Sequence, residues 1–257
     1  MKIFPGCLIL QSMIEEKPIL SIETSGNLCG ACVYFSDDKY FEANVQFKNS
    51  HAEKLFEAID FVVKSAGIET SQLGAVAVSS GPGSFTGLRI GMSASKGIAF
   101  GASLPIVPVP TFEALALEIS AMLPDDTQFI VANKVNVEEI YYAKFHIKSN
   151  NFIFVHNLRI INYSEFNKLA MDSIVFGNAQ PGNAESDNIK RVNLSSPSPK
   201  FVAKWCKQFG DELLVFDYDY LEPNYLKNFI ISVSARLSND SSVKYKPNLD
   251  GKEKKNA

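Results

Sequence analysis

Three short apolar runs open the sequence, and helical and strand patterns alternate after them. The runs cover residues 19–22, 28–35 and 39–47, and the connections between them are rich in Ser, Gly, Asn and Asp. Connections of that length and composition form tight turns between antiparallel neighbours. We therefore expect a three-stranded meander, continued by strands that helices connect.

The alternating part begins with a helix at residues 50–66. Ser50 and Glu53 match a capping box, and Gly67 marks the end of the helix. Apolar residues at i, i+3, i+4 and i+7 spacing form one stripe, which consists of Ala52, Leu55, Phe56, Ile59, Val62, Val63 and Ala66. The segments that follow are a strand at 75–79, a glycine-rich loop, a helix at 86–100, a strand at 106–109 and a helix at 111–120.

A similar but weaker order of elements repeats after a break at residues 123–127. Strands are expected at 129–131, 139–147, 152–160 and 174–176, with helices at 164–170 and 199–209. Two βββαβα units in succession are typical of the actin, sugar-kinase and Hsp70 ATPase class. We therefore predict an α/β protein with an actin-like (ASKHA, RNase H-like) fold, in which the second of two βββαβα subdomains is degenerate.

The predicted subdomains are residues 18–122 and, in reduced form, residues 127–235. Residues 1–17 indicate a loose extension, in which Met13 is an alternative start. Residues 239–257 are polar and charged. Both end segments are expected to be disordered, because neither offers enough apolar surface to pack.

The charge pattern argues against direct binding to nucleic acid. The formal net charge is -3, and lysines alternate with acids except in the terminal cluster of Lys252, Lys254 and Lys255. Proteins that grip phosphates usually carry a basic face. The sequence also lacks the run of about 18 apolar residues that a membrane helix needs, and Pro5 and Gly6 interrupt its short apolar start. We expect a cytoplasmic protein with no membrane segment.

The four cysteines do not match a redox or zinc motif in context. Cys29 and Cys32 have C-x-x-C spacing, but they lie inside a predicted strand rather than at a strand-to-helix turn. Side chains at i and i+3 of a strand point to opposite faces. A zinc site would need a second pair of ligands, which the sequence does not supply. Buried, reduced thiols are expected.

The glycine-rich loop at residues 80–91 is the segment most specific for function. Its glycines permit unusual backbone angles, and Ser84 or Thr86 is suited to cap the next helix. Backbone amides at such a helix start can hold an anion, so Gly83, Ser84 and Thr86 are weak anion-site candidates. A Walker loop is excluded because the required Lys is missing, and the spacing and acid of a Rossmann fingerprint are also absent.

Taken whole, the string Gly-Pro-Gly-Ser-Phe-Thr-Gly-Leu-Arg-Ile-Gly resembles the signature of the TsaB (YeaZ) family. This family of tRNA threonylcarbamoyladenosine biosynthesis proteins has a glycoprotease-like (Gcp-like) domain. The opening strand at 19–25, the helix start at 50–53 and the segment at 104–111 agree with the resemblance, as does the element at 222–227, where Lys replaces Arg. The match is strong over residues 18–120 and thin afterwards. At 134–141 Lys134 and Asn136 replace the family's Asp and Arg.

The resemblance implies a non-catalytic subunit that helps to install the threonylcarbamoyl group on the adenosine beside the tRNA anticodon. Its implied partner is a TsaD-like catalytic subunit, with a TsaE-like ATPase as a further candidate. A homodimer is implied when the chain is alone, and tRNA would be contacted only through the complex. The H-x-x-x-H metal pair of TsaD cannot form here, because His51, His146 and His156 are far apart in sequence. No catalytic residue, metal or cofactor is expected.

Two helices indicate a surface for a protein partner. In the first, Ala58 and Phe61 lie off the main apolar stripe. The second carries few charges and many small residues, which allow another backbone to come close. Docking of this helix pair on a like pair would give a four-helix bundle between chains. The predicted interface residues are Ala58, Phe61, Gly87, Arg89, Gly91, Ala94 and Gly97. The alternative is a second helix that is covered wholly within its own chain.

An active ATPase or small-molecule kinase of the actin-like class is the competing hypothesis. Such an enzyme needs an acid near the first hairpin to organise metal and water. Glu23-Thr-Ser25 stands there, but the segment at 177–182 offers no second acid loop. A peptidase ranks third, because no nucleophile–base pair stands out.

Overall fold

The first five strands form one mixed sheet. The computed structural model describes residue 14 and residues 16–46, 51–179 and 190–226. The strands of this first sheet lie in the order β3-β2-β1-β4-β5, and they are β1 (Ile19–Glu23), β2 (Leu28–Ser36), β3 (Lys39–Gln46), β4 (Ala75–Gly81) and β5 (Ile106–Pro110). β1, β2 and β3 are antiparallel neighbours, whereas β1, β4 and β5 are parallel. The predicted meander is confirmed.

Helices α1 (His51–Ala66) and α2 (Phe85–Ala102) cover one face of this sheet. Alternate strand residues such as Leu20 and Val76 pack beneath them, as the period of two in a strand requires. Ser84 caps α2 and accepts a hydrogen bond from the Gly87 amide at 3.2 Å. The predicted cap of α1 lies outside the described side chains, and Gly67 follows that helix with a φ of 65°.

Helices α3 (Thr111–Ser120) and α5 (Pro199–Phe209) lie on the opposite face. α3 is covered on two sides, because Ala114 and Leu117 pack towards the first sheet while Phe112 and Leu115 pack towards a second sheet. α5 was predicted as a helix, and it packs on β1 and β2 rather than on the second sheet.

The second sheet also has five strands, but two of its parallel strands are shorter than any strand of the first sheet. Its strands lie in the order β10-β9-β6-β7-β8, and they are β6 (Gln128–Lys134), β7 (Glu139–Lys148), β8 (Asn151–Asn162), β9 (Ile174–Phe176) and β10 (Lys190–Val192). α4 (Tyr163–Ala170) packs on its outer face. β10 was not predicted, since its three residues are exposed and two of them are charged. The actin-like α/β prediction with a reduced second half is confirmed.

The cysteines behave as the strand assignment requires. Cys29 and Cys32 are buried thiols, and they belong to the clusters on opposite faces of the first sheet. Burial raises the pKa of the Cys29 thiol to about 11 and that of the Cys206 thiol to about 12. Such thiols are poor nucleophiles and poor metal ligands at neutral pH. Cys7 lies outside the described residues.

No helix among the described residues is long and apolar enough to cross a membrane. The expectations for the two chain ends fall almost wholly outside the described ranges. Ile14, within the predicted extension, is fully buried in the core beside α5.

Candidate partner surface and hairpin cleft

The glycine-rich turn holds α2 tightly against the end of β1. A Cβ atom added to Gly87 would overlap the carbonyl oxygen of Thr24, and one added to Gly91 would overlap the Thr24 hydroxyl. Gly83 is in the same position relative to Ser25. The close approach that the small residues predicted is therefore made to the β1–β2 turn of the same chain.

The anion-site candidates lie at this turn, and some of their amides are already used. The Ser84 amide donates to the Ser25 carbonyl at 2.6 Å, and the Gly87 amide donates to the Ser84 hydroxyl. Thr86 is exposed beside a surface groove. An anion at this helix start would have to compete with these internal hydrogen bonds.

Glu23, the acid at the first hairpin, is enclosed. Its side chain is fully buried, and Oε1 accepts hydrogen bonds from the Ser25 amide and the Ser25 hydroxyl at 2.5 Å each. Oε2 accepts a hydrogen bond from the Ser79 hydroxyl. Burial raises the pKa of Glu23 to about 7, although the three donors oppose part of the rise. The carboxyl thus serves the local fold and does not face an open cleft.

The chain itself fills the space beside that hairpin. A Cβ atom on Gly26 would lie 2.7 Å from the Ser196 hydroxyl oxygen. Asn133 at the end of β6 donates its side-chain amide to the Ser195 carbonyl at 2.7 Å. The segment that leads into α5 therefore joins the β1–β2 turn to the end of β6. Among the described residues, no group of three or more His, Cys, Asp or Glu side chains is placed to hold a metal ion.

A groove of about 770 Å³ lies on the outer side of α1 and α2. Phe56 of α1 forms one wall, and residues on one side of α2 form the rest, among them Phe85, Ile90 and Ala94. Three aromatic rings of α1 and α2 are largely exposed: Phe56, which lines the groove, at 55%, Phe61 at 59% and Phe100 at 80%. We call the groove with these three rings the α1–α2 surface.

The predicted interface residues divide into two groups. Phe61, Arg89 and Gly97 are exposed, and Ala94 is buried but lines the groove. The others are covered by their own chain, namely Ala58, Gly87 and Gly91.

The assignment of the α1 stripe needs a correction. Phe56 was placed on the buried stripe, but it is exposed, whereas Ala58 is 4% exposed and belongs to the core with Leu55 and Ile59. Ala58 lies where α1 is close to the first sheet, and a phenylalanine ring is too large for that position. The sequence also gave no sign of Phe100 as a surface residue, since it lies near the end of an apolar helix.

Arg89 is held by the C-terminal part of the described chain. Its guanidinium carbon lies 3.9 Å from the centre of the Phe85 ring, and its Nε donates to the Tyr225 hydroxyl at 3.1 Å. The rings of Phe85 and Tyr225 are 5.0 Å apart. Lys96 donates to the Asp219 carbonyl further along α2. Residues 218–226 therefore border the α1–α2 surface.

Comparisons with known proteins agree with this architecture. The family model for "TsaD: tRNA N6-adenosine threonylcarbamoyltransferase" matches residues 46–151. The chain is 29% identical over 131 residues to the tRNA threonylcarbamoyladenosine biosynthesis protein TsaB of Haemophilus influenzae, covering 51% of this chain and 55% of that protein. It is 27% identical to TsaB of Escherichia coli over 133 residues, covering 51% and 56%.

A solved structure extends the likeness over most of the fold. The crystal structure of a Pseudomonas aeruginosa protein described as similar to peptidase YeaZ superposes with a TM-score of 0.67 at 19% identity. The alignment covers 82% of this chain and all of that one. Two sheets of this topology, with a glycine-rich turn leading into α2, define a protein of the actin-like, Gcp-like class. Within that class, the sequence is similar over its matched half to proteins of the TsaB (YeaZ) family, and the fold of a YeaZ-like protein agrees with this likeness. It spans about half the length of the curated relatives that it matches.

Proposed function

We propose that this chain is a non-catalytic subunit in the synthesis of threonylcarbamoyladenosine in tRNA. It acts by binding a TsaD-like catalytic protein through the α1–α2 surface. The observation that carries the proposal is the apolar groove beside α1 and α2, with Phe56 exposed in its wall, together with the exposure of Phe61 and Phe100 on the same two helices. A role in tRNA modification implies a cytoplasmic location.

The apolar character of the surface supports binding to a protein. Large exposed apolar patches on soluble proteins usually mark interaction sites, and aromatic residues are enriched at the centres of protein interfaces. α1 also carries two exposed ion pairs, Lys54 with Glu57 and Lys64 with Asp60. An apolar groove beside charged residues agrees with protein–protein interfaces, which combine an apolar core with polar surroundings.

The fold of the partner supports a helix-on-helix arrangement. The family model that matches residues 46–151 describes TsaD, and the matched range includes α1 and α2. A TsaD-like protein would therefore present a related pair of helices, and two such pairs pack as a four-helix bundle. The same surface would join two copies of this chain when the partner is absent, since a two-fold axis brings identical patches together.

The closed hairpin supports a non-catalytic role. Glu23 is enclosed by Ser25 and Ser79, and residues 195–198 fill the space beside it. The net charge of -3 supports contact with tRNA through the complex rather than by this chain alone.

Co-expression with the TsaD-like protein of the same organism tests the proposal. The best variant is Gly97→Glu, because a Cβ atom at Gly97 meets no atom within 4 Å and the side chain would project from α2 without disturbing the core. Phe61→Glu is the second variant. Each should weaken binding by about 30-fold or more, the effect expected at the centre of an interface.

Val137→Glu is the matched control, because Val137 is 80% exposed in the β6–β7 turn, away from α1 and α2. Size-exclusion chromatography with light scattering would give the mass of each complex. Complex formation that survives both Gly97→Glu and Phe61→Glu would refute the proposed surface.

A further inference from the structure

A second pocket lies on the opposite face of the first sheet from α1 and α2. Its volume is about 400 Å³, and it opens between the start of α3, the start of β8 and the end of α5. We call it the Trp205 pocket, and the residues that decide its chemistry are Glu113, Phe152, Trp205, Phe209 and Glu212. The proposed function makes no use of it.

Three aromatic rings form its walls at steep angles to one another. The centres of the Trp205 and Phe209 rings are 5.5 Å apart with an interplanar angle of 50°. Those of Phe152 and Phe209 are 6.2 Å apart with an angle of 66°. At these distances the rings pack against one another, and the parts of them that remain free of these contacts line the pocket. A cation is attracted to the face of an aromatic ring by the negative charge density there.

Two acids complete the pocket, and no basic residue lines it. Within the described part of the chain, neither Glu113 nor Glu212 takes part in an ion pair. Desolvation raises the pKa of Glu113, and the nearby indole N–H of Trp205 opposes part of that rise by favouring the carboxylate. Trp205 is only 3% exposed, and its Nε1 has no partner at full hydrogen-bond geometry. A partly desolvated acid without a counter-ion is electrostatically unsatisfied, which favours a bound cation.

We propose that the Trp205 pocket binds an alkylammonium group. The acids repel anions, and a neutral apolar ligand would leave Glu113 without a counter-charge. An ammonium head satisfies the acids and also contacts the ring faces, where the cation–π attraction strengthens as water is removed. A free amine and a lysine side chain of another protein carry the same chemistry, and the pocket recognises what they share.

The protein reports on this pocket directly, because Trp205 is its only tryptophan. The full-length chain is titrated with choline and, in parallel, with 3,3-dimethyl-1-butanol, the neutral compound of the same shape. Choline should change the Trp205 fluorescence saturably, and the neutral compound should bind at least tenfold more weakly. The second pair of ligands is a short peptide that is blocked at both ends and carries a free lysine side chain, and the same peptide with norleucine in place of the lysine.

The two pairs of ligands distinguish the sources. Binding of choline alone indicates a small quaternary ammonium ligand, and binding of the lysine peptide alone indicates a lysine of a protein segment. Equal binding of charged and neutral members, or no binding of either cation, overturns the proposal. Isothermal titration calorimetry repeats each measurement without dependence on fluorescence.

Substitutions locate the site. Glu113→Gln and Phe209→Leu should each weaken cation binding by about tenfold, with Glu138→Gln and Phe216→Leu as controls at exposed positions outside the pocket. Circular dichroism and the melting temperature verify the fold of each variant. If affinity stays the same in both folded pocket variants, the assignment of the pocket is wrong.

Discussion

Helices α2 and α3 are alike in composition but differ in what covers them. Each has only two charged residues, Arg89 and Lys96 in α2 and Glu113 and Glu118 in α3. α3 lies between two sheets, and nine of its ten residues are buried. α2 has a sheet on one side only, and its other side borders the groove with Phe100 exposed. The comparison teaches that a low charge content predicts burial of a helix but does not say whether the cover comes from the same chain.

The largest expected effect on stability comes from a comparison of two phenylalanine substitutions, one in the covered helix α3 and one on the exposed side of α1. Phe112 of α3 is 1% exposed, whereas Phe61 of α1 is 59% exposed. Phe112→Ala should lower the free energy of unfolding by about 3–5 kcal/mol through lost burial and a cavity. Phe61→Ala should change it by no more than about 0.5 kcal/mol. Urea denaturation at a protein concentration that keeps the chain monomeric measures both, and equal losses would break the contrast.

The covered side also holds both buried glutamates of the described chain, Glu23 and Glu118. Burial raises the pKa of each to about 7 from an ordinary 4.5. The folded protein therefore binds more protons than the unfolded chain between these pH values, so stability is highest below pH 4.5 as far as these groups are concerned. For Glu23 the stability lost as the pH rises through about 7 is on the order of 3 kcal/mol.

Denaturation profiles between pH 4.5 and 8 test this dependence. Glu23→Gln should flatten the fall in stability with rising pH, whereas Glu138→Gln, at an exposed position, should leave the slope unchanged. An unaltered slope in Glu23→Gln would mean that this carboxyl titrates normally in the folded protein.

Two glycines of α2 sharpen the contrast within a single helix. Gly87→Ala brings a Cβ onto the Thr24 carbonyl and should destabilise the fold by about 1–3 kcal/mol. Gly97→Ala meets no neighbour and should stabilise it by about 0.5–1 kcal/mol through helix propensity. Thermal or urea unfolding of the two variants gives the comparison. A loss of stability in Gly97→Ala would show that this side of α2 is already covered.

The smallest effect is expected from nucleotide. Millimolar Mg-ATP should raise the melting temperature of the isolated chain by less than about 1 °C, because a ligand that does not bind the folded state cannot stabilise it. A rise that grows with nucleotide concentration, or ATP turnover by the chain alone, would restore the ATPase or kinase hypothesis.

The fold was largely predictable because its strands and helices follow the periodicity of apolar residues, and turn-forming residues mark where these elements end. The meander followed from short turns between apolar runs, and the end of α1 followed from Gly67. Cys29 and Cys32 were assigned to opposite faces from strand geometry alone, and the structure places them so. Patterns of this kind are local, and they specify an element whatever it packs against.

The partner surface and the Trp205 pocket were less predictable, because the periodicity of a helix does not identify the element against which the helix packs. Gly87 and Gly91 indicated a close backbone approach, but the approaching backbone is that of Thr24. The helix at 199–209 was predicted, but its sequence does not indicate that it packs on the first sheet. The walls of the Trp205 pocket come from α3, β8 and α5, and only the tertiary fold brings them together.

The position of α3 has a mechanical consequence. Its side chains are shared between the cores of both sheets, with Leu117 in one and Leu115 in the other. Spreading the two halves apart like a hinge would pull one packed core away from this common helix and expose its apolar surface to water. Because α3 is packed into both cores, a movement of one sheet away from the other would cost the burial of apolar surface on at least one side of this helix.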